Sequence, residues 1–390
     1  MSASPTDIVM IGAYGDMNFG DDALMVIVHR ILASALPEAA IRIMTVSEAK
    51  YINELLPRAK VARYDRPTSA DLAVRGGGTQ FYSYPLPRAL RHSPLPVAII
   101  RALLSPRRIV KRLRQHMVSR RQEKLTARHS AALAVGVGPF VSGSREESTA
   151  RALLSGADFL AVRDEDSLGV CRQWNVGNAL LGADLLYAAE DYGVFVPSGD
   201  TPIRDKQVVI VVQDWYWTKE GEAVKDSLLA LGRLLEERGY AVHYLSFCGR
   251  DDKDWVALLR TLGKPLSVWN ANQCTFAKWI DLLATAEVVV TCRYHGAVAA
   301  SLVGRPSILV DLSQKHGSAA KALSRGKLIW RSPFEPRAAL DLVETAARGR
   351  DRYGAMAAKA AARQGRLARA MIETFYRYFR SVQESACLAG

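Results

Sequence analysis

Residues 288–300 read VVVTCRYHGAVAA. The valines and threonine at 288–291 are β-branched and suit a buried strand, and the alanine-rich continuation from Ala297 suits a helix. Arg293, His295 and Gly296 stand where the two meet. A strand that feeds directly into a helix is the unit of a parallel sheet, in which ligands bind beyond the carboxyl ends of the strands. Two polar side chains that are costly to bury, set at such a junction, point to a site. The rest of the chain can be searched for similar junctions.

Apolar strand-like runs fall at 7–13, 40–46, 70–75, 131–137, 157–163 and 179–182, with helical patterns near 22–36, 146–155 and 166–174. The segment YGVFVPSGDTPIRDKQ at 192–207 has two prolines, two glycines and mixed charge, and reads as a linker. The rhythm then restarts, with strands at 208–213, 240–246, 287–291, 306–311 and 327–330 and helices around 219–238, 251–262, 275–285, 295–303 and 315–324. A helical tail follows at 335–385. This alternation predicts an α/β fold of two doubly wound, Rossmann-like domains facing each other across a cleft. Their expected extents are 1–195 and 205–390, with the final helices packing back on the first domain.

Composition narrows the class. At 390 residues, 49% of them apolar, the chain is long enough for two cores. No apolar run approaches the roughly 20 residues needed to span a bilayer. The N-terminus MSASPTDIVMIGAYG lacks a basic leader and enters a core strand, so no cleaved signal peptide is expected. Cys171, Cys248, Cys274, Cys292 and Cys387 are odd in number, scattered and never spaced C-x-x-C. They suit a reducing, cytoplasmic setting better than a disulfide framework or a zinc site.

The net charge of +13 is concentrated in one place. Between 85 and 130 twelve Lys or Arg face one acid, Glu123. This reads as a basic helical insert, with Val110, Leu113 and Met117 on one face among arginines. Such a face suits an anionic membrane surface, and equally a solvated helix pair packed on the first domain. Without a basic-aromatic motif the charge gives no support to nucleic-acid binding.

Four junctions carry the candidate site. The first, GAYGDMNFGDDA at 12–23, has Gly12, Gly15 and Gly20, which do not make the dinucleotide G-x-G-x-x-G pattern. Asp21 and Asp22 there read either as caps of the next helix or as contacts to a neutral, hydroxyl-rich ligand, since they would repel a phosphate. The second, RGGGTQF at 75–81, holds Gly76, Gly77 and Gly78, where backbone can approach a ligand or a helix closely. The third, LAVRDEDS at 160–167, ends a strand with Arg163 and offers Asp164 or Asp166 as a cap. The fourth is the opening stretch. Treated as strand residues, Arg293 and His295 leave on one side, and Gly296 turns the chain into a helix whose first N–H groups are free. A guanidinium, an imidazole and a helix N-terminus make an anion site that contains a proton donor.

Taken in order, NFGDDA (18–23), GGGTQF (76–81), RDEDS (163–167), TCRYHG (291–296) and DLSQK (311–315) make the chain resemble the polysaccharide pyruvyl transferase family. TCRYHG stands for that family's S-x-R-x-H-G, and DLSQK for its downstream lysine motif. The resemblance spans nearly the whole chain. It implies a GT-B-like enzyme that moves the enolpyruvyl group of phosphoenolpyruvate onto a sugar of a polysaccharide or lipid-linked oligosaccharide, forming a pyruvate ketal and releasing phosphate. No metal and no cofactor beyond the donor substrate is implied. Phosphoenolpyruvate carries a phosphate and a carboxylate, both of which arginine binds bidentately. Arg293, aided by the helix end at Gly296, is the expected phosphate clamp, Arg163 the carboxylate clamp and Lys315 a third charge. His295 is the expected catalytic acid or base. Asn18, Gly20, Asp21, Asp22 and Gly76 to Gly78 fall on the acceptor side.

One departure leaves the acceptor base open. Relatives often carry an acid just past the glycine run, but TQFYSYP at 79–85 has none, which leaves Asp16, Asp21 and Asp22. The competing reading is a nucleotide-sugar glycosyltransferase of the same architecture. Retaining enzymes of that kind place acids around the donor, whereas 288–334 holds Asp311 alone. The expected location is the cytoplasm, with the insert against the inner face of the membrane.

Overall fold

The computed structural model describes residues 6–45, 49–64, 66–83, 125–195, 201–215, 219–312, 317, 321–323 and 328–388. Residues 84–124 of the basic insert, and Lys315, lie outside them.

Two parallel sheets organise the chain. The first runs in the order β3 (Lys60–Arg63), β2 (Ala40–Thr45), β1 (Asp7–Ile11), β4 (Thr68–Gly76), β6 (Leu125–Val137), β7 (Phe159–Val162), β8 (Ala179–Leu181), with β5 (Thr79–Phe81) beside β6. The second runs β11 (Leu266–Val268), β10 (Ala241–Ser246), β9 (Gln207–Val212), β12 (Val288–Thr291), β13 (Ser307–Val310), β14 (Ile329–Trp330). Their central strands are apolar on both faces, as in β9, where all of QVVIVV is buried. In each sheet the winding reverses once, between β1 and β4 and between β9 and β12. These are the crevices where doubly wound folds take ligands. The glycine-rich loops follow β1 and β4, and the Arg-Tyr-His-Gly segment follows β12.

Three features depart from the sequence-based expectation. Strand β6 begins at Leu125, so 125–130 belongs to the sheet rather than to a helical insert. Its register pairs Thr68 with Leu125 and Ala73 with Ser130, and LTARHS shows the period-two alternation that its charges disguise. β3, β5 and β11 were not expected. Each is only three or four residues long, too short for a periodic signal. The first helix, α1 (Phe19–Ala35), starts three residues before Asp22, because Asn18 caps it through its Oδ1, which accepts from Gly20 N at 3.1 Å.

α1 is the pivot of the architecture. It is buried on nearly every side from Phe19 to Leu32, because ALMVIV at 23–28 is apolar on every face. Its first turn enters the second domain. Phe19 N donates to Phe247 O at 2.9 Å, and the Phe19 ring meets Phe247, Trp269 and Phe276 at centroid distances of 4.9, 5.1 and 5.9 Å. A single apolar cluster therefore runs from the first sheet through Phe19 into the second.

The chain crosses back at its other end. After α9 (Pro336–Arg348), the long α10 (Arg350–Leu388) lies against the first domain. Phe375 packs on Phe159 at 5.2 Å, Tyr376 and Tyr192 share a hydroxyl hydrogen bond of 3.0 Å, and Arg369 Nε donates to Asp191 at 2.7 Å. No helix among the described residues is long and apolar enough to cross a membrane.

Phe375 has no exposed surface. We expect Phe375→Ala to cost about 3–5 kcal/mol, the usual penalty for emptying a buried aromatic position, read as a lowered urea midpoint. A change below about 0.5 kcal/mol would mean that α10 is a surface appendage.

Candidate functional site

The site grows from the β12 junction. Thr291 Oγ1 accepts from Arg293 N at 3.1 Å and donates to Arg293 O at 2.9 Å, which fixes the chain as it leaves the strand. Arg293 is the N-cap of α8 (Tyr294–Leu302). His295 is therefore a helical residue, and strand alternation does not apply to it. The two side chains diverge instead of leaving together. Gly296 lies within the helix rather than at a turn. A Cβ there would sit 2.2 Å from Thr291 Oγ1, so glycine lets α8 settle on the strand end.

Arg293 turns back into its own domain. Its Nη2 binds Asp252 Oδ1, and its Nε approaches Val212 O at 3.4 Å. Asp252 is wholly buried and also accepts from Ser246 Oγ at 2.9 Å and from Asp214 N at 3.2 Å. The guanidinium expected to offer a free fork to a phosphate is thus engaged by a protein carboxylate.

His295 turns the other way, into the first domain. Its ring lies over the N-terminus of α1, where a Cβ at Gly20 would stand 1.8 Å from His295 Nδ1. Only glycine admits the imidazole. Nε2 is 3.4 Å from Asp184 Oδ2. Asp184 caps the short 3-10 turn Leu185–Ala188 through Leu186 N, at 3.0 Å from Oδ1.

Arg163 reaches the same carboxylate from the end of β7. Its Nη1 is 3.5 Å from Asp184 Oδ2, its Nε donates to Asp164 at 3.2 Å and its Nη2 to Thr79 Oγ1 at 2.8 Å. The guanidinium stacks 4.2 Å above the Tyr294 ring, a cation–π contact between the domains. Asp164 caps α4 (Glu165–Gln173) by accepting from Ser167 N at 2.8 Å. With 3% of its side chain exposed, Arg163 contributes its charge to the wall of the site rather than an open fork. Burial pushes the Asp184 carboxyl up, but His295 and Arg163 more than offset this and hold it below the usual carboxylate range.

The residues expected on the acceptor side separate into distinct roles. A Cβ at Gly76 would meet Val28 of α1 at 2.7 Å, and Gly76 O accepts from Tyr14 OH at 2.6 Å, so this glycine serves close helix–strand packing. Gly77 and Gly78 have φ of +64° and +72°, a conformation glycine adopts without strain. Asp21 Oδ1 lies over that loop, 3.4 Å from where a Gly78 Cβ would be. Asp16 pairs with Arg250 across the domain boundary. Asp22 is fully buried, accepting from Tyr51 OH and from Trp269 Nε1 at 2.8 Å. Burial, opposed in part by those two hydrogen bonds, pushes its pKa up to about 7.

The structure therefore brings together Asn18, Gly20, Arg163 and His295, with Asp21 and the glycine run alongside. It sets Arg293 apart on Asp252 and commits Asp22 to the domain interface. Sequence reasoning missed Asp184. A lone acid in the apolar run ADLLYAA (183–189) was the available signal. Chemically, the N-termini of α1 and α8 converge on one imidazole, where the positive ends of two helix dipoles favour an anion. Among the described residues no group of His, Cys, Asp or Glu could hold a metal ion.

A family model described as polysaccharide pyruvyl transferase matches residues 18–314. No curated protein matches the chain. Among solved structures, a UDP-GlcNAc 2-epimerase from Neisseria meningitidis bound to UDP-GlcNAc is similar with a TM-score of 0.55 and 11% identity, over 95% of this chain and 99% of that one. A putative UDP-N-acetylglucosamine 2-epimerase from Listeria monocytogenes gives 0.56 and 10%, over 97% of each. Sucrose-phosphate synthase from Thermosynechococcus elongatus gives 0.54 and 12%, over 97% of this chain and 100% of that one. At such identities the likeness is one of fold: two parallel-sheet domains in the GT-B arrangement.

Asp22 sets a pH dependence. Between its ordinary 3.8 and about 7, the folded chain keeps a proton on this carboxyl that the unfolded chain has released. Raising the pH through that window therefore destabilises the fold. Asp22→Asn removes the effect while keeping an acceptor for Trp269. We expect the urea midpoint of the variant, relative to the parent, to rise from pH 4 to pH 7 and level off beyond. A constant difference would place the Asp22 pKa in the ordinary range.

Proposed function

The chain belongs to the polysaccharide pyruvyl transferase family, and from that premise we propose that it transfers the enolpyruvyl group of phosphoenolpyruvate to two hydroxyls of a sugar. The product is a cyclic pyruvate ketal, and phosphate is released. The acceptor is a polysaccharide or a lipid-linked oligosaccharide unit. The observation that carries the reading is the seating of His295 of the second domain on Gly20 and Asp184 of the first. In this reading the imidazole, at the convergence of two helix N-termini, is the proton-transferring group.

In this reading the donor anion lies at the first turn of α8, whose leading N–H groups have no intrahelical partner. Arg163 and Arg293 supply positive potential from the wall. Both are paired with aspartates, so a donor that engages either fork directly displaces one of those pairings. Lys315 is the remaining proposed donor contact.

The chemistry balances as follows. A proton adds to the methylene carbon of the donor, the first sugar hydroxyl attacks the neighbouring carbon, and the C–O bond to phosphate breaks. The second hydroxyl then closes the ketal. Of the two hydroxyl protons released, one replaces the proton given to carbon and the other leaves with phosphate. His295 is the proposed proton donor, giving the Nδ1 proton of its imidazolium form and returning to the neutral ring. Of the three acids left open as acceptor base, Asp16 is paired with Arg250 and Asp22 is buried on Tyr51 and Trp269. We assign the role to Asp21, half-buried over the Gly78 loop.

A nucleotide-sugar glycosyltransferase is the second reading, supported by the fold shared with UDP-N-acetylglucosamine 2-epimerases. One assay separates the two. Phosphate released from phosphoenolpyruvate only when an acceptor glycan is present supports pyruvyl transfer. Nucleotide released from a nucleotide sugar supports the alternative. We expect His295→Ala to lower acceptor-dependent phosphate release by about 100-fold or more, the usual scale of a lost general acid. Retention of most of the activity would remove His295 from the chemistry. Asp21→Asn should lower the same rate by a similar factor, and an unchanged rate would return the base assignment to the other acids.

A further inference from the structure

The carboxylate of Asp184 is not explained by capping alone. Asp184 is 1% exposed. Its Oδ1 is used by Leu186 N, while Oδ2 has no hydrogen-bond partner among the described residues. That second oxygen stands 3.4 Å from His295 Nε2 and 3.5 Å from Arg163 Nη1. His295 Nε2 is itself buried without a hydrogen-bond partner. Leaving both atoms unpaired is expensive, and a proton on Nε2 directed at Oδ2 relieves both at once. Arg163 does not depend on this oxygen to stay in place, because Asp164, Thr79 and the Tyr294 ring already hold it.

We propose that Asp184 is a positioning residue: its Oδ2, lying between His295 of one domain and Arg163 of the other, fixes the imidazole with its proton on Nε2 and turns Nδ1 toward the face of Gly20. The assignment of roles to the ring nitrogens follows from geometry. Nδ1 meets the N-terminus of α1 at Gly20, where the positive end of the helix dipole favours the lone pair of a neutral ring over its N–H. Nε2 meets the carboxylate. The side chains and backbone around the ring are Asp184 and Arg163, the neighbouring Tyr294 and the first turn of α1 with Asp21 and Asp22. Asp184 is the only acid among them within ion-pair distance of the ring in the described residues. A carboxylate fixing an imidazole in this way acts without touching substrate. Its energetic role in catalysis rests on the pyruvyl-transfer reading, but the structural claim about His295 does not.

The test uses the full chain and two variants. Asp184→Asn keeps the cap through its carbonyl oxygen and loses the negative charge. Asp184→Ser also keeps a capping oxygen but is too short to reach His295. The readout is the two-bond 1H–15N correlation of the imidazole under conditions where the ring is neutral, with the His295 signal identified by its disappearance in His295→Ala. In the parent we expect a single tautomer, protonated on Nε2. In both variants we expect both tautomers to be populated. An Nδ1-protonated or already mixed parent, or variants that keep the parental pattern, would overturn the proposal whatever reaction the protein catalyses.

Rate measurements form a separate arm. Both variants should lower kcat for acceptor-dependent phosphate release at least about ten-fold with little change in KM for phosphoenolpyruvate, the pattern of an interaction realised in the transition state. Asp184→Glu, which restores the charge on a longer arm, should recover part of the loss. A rise in KM with kcat unchanged would make Asp184 a donor-binding element and overturn the positioning role. A parent that releases no phosphate from phosphoenolpyruvate would overturn the function proposed above, and the tautomer result would still decide the role of Asp184.

Discussion

Everything at the candidate site depends on how closely the first turn of α1 approaches the second domain. Phe19 and Gly20 are consecutive, and they accomplish opposite things. The phenylalanine fills an aromatic socket of Phe247, Trp269 and Phe276, while the glycine leaves room for an imidazole. The socket fixes the distance between the two sheets, and the missing side chain sets what can stand between them. Desolvated aromatic packing is short-ranged and steeply distance-dependent. It therefore holds His295 in place more firmly than a solvated linker could.

This arrangement also explains why arginines dominate the surroundings yet offer so little open surface. Two guanidinia at strand ends are matched by aspartates, Arg293 by Asp252 and Arg163 by Asp164 and Asp184. A buried charge without a partner is strongly destabilising, and such pairs are kept for geometry more than for stability. The result is a wall whose charges are held in place by the protein's own carboxylates.

Much of this was legible in the sequence, and the limits have physical causes. β-branched runs ending at glycine or arginine announced the sheets and their reversals, since a strand buried on both faces must be continuously apolar. Arg163, His295 and Gly20 could be singled out because polar or side-chain-free residues at such ends are costly without a use. The direction of Arg293 could not be read, because the helix begins one residue after it and the spacing rules change there from two to 3.6. Asp184 was hidden for another reason. Its partners lie 21 residues before it and 111 after it, and ADLLYAA carries no local pattern that names either. Short strands such as KVAR and LSV were missed because three or four residues cannot display a period.

The return of α10 to the first domain has a consequence for how the protein is made. Phe159 and Tyr192 of the first domain find partners in Phe375 and Tyr376, residues translated long after the first sheet is complete. A nascent first domain thus waits on the ribosome with an apolar face uncovered, and its last core contacts form only when the far end of the chain emerges. The order of synthesis and the order of assembly are out of step, and the unfinished face between them is open to association with other chains until the far end arrives.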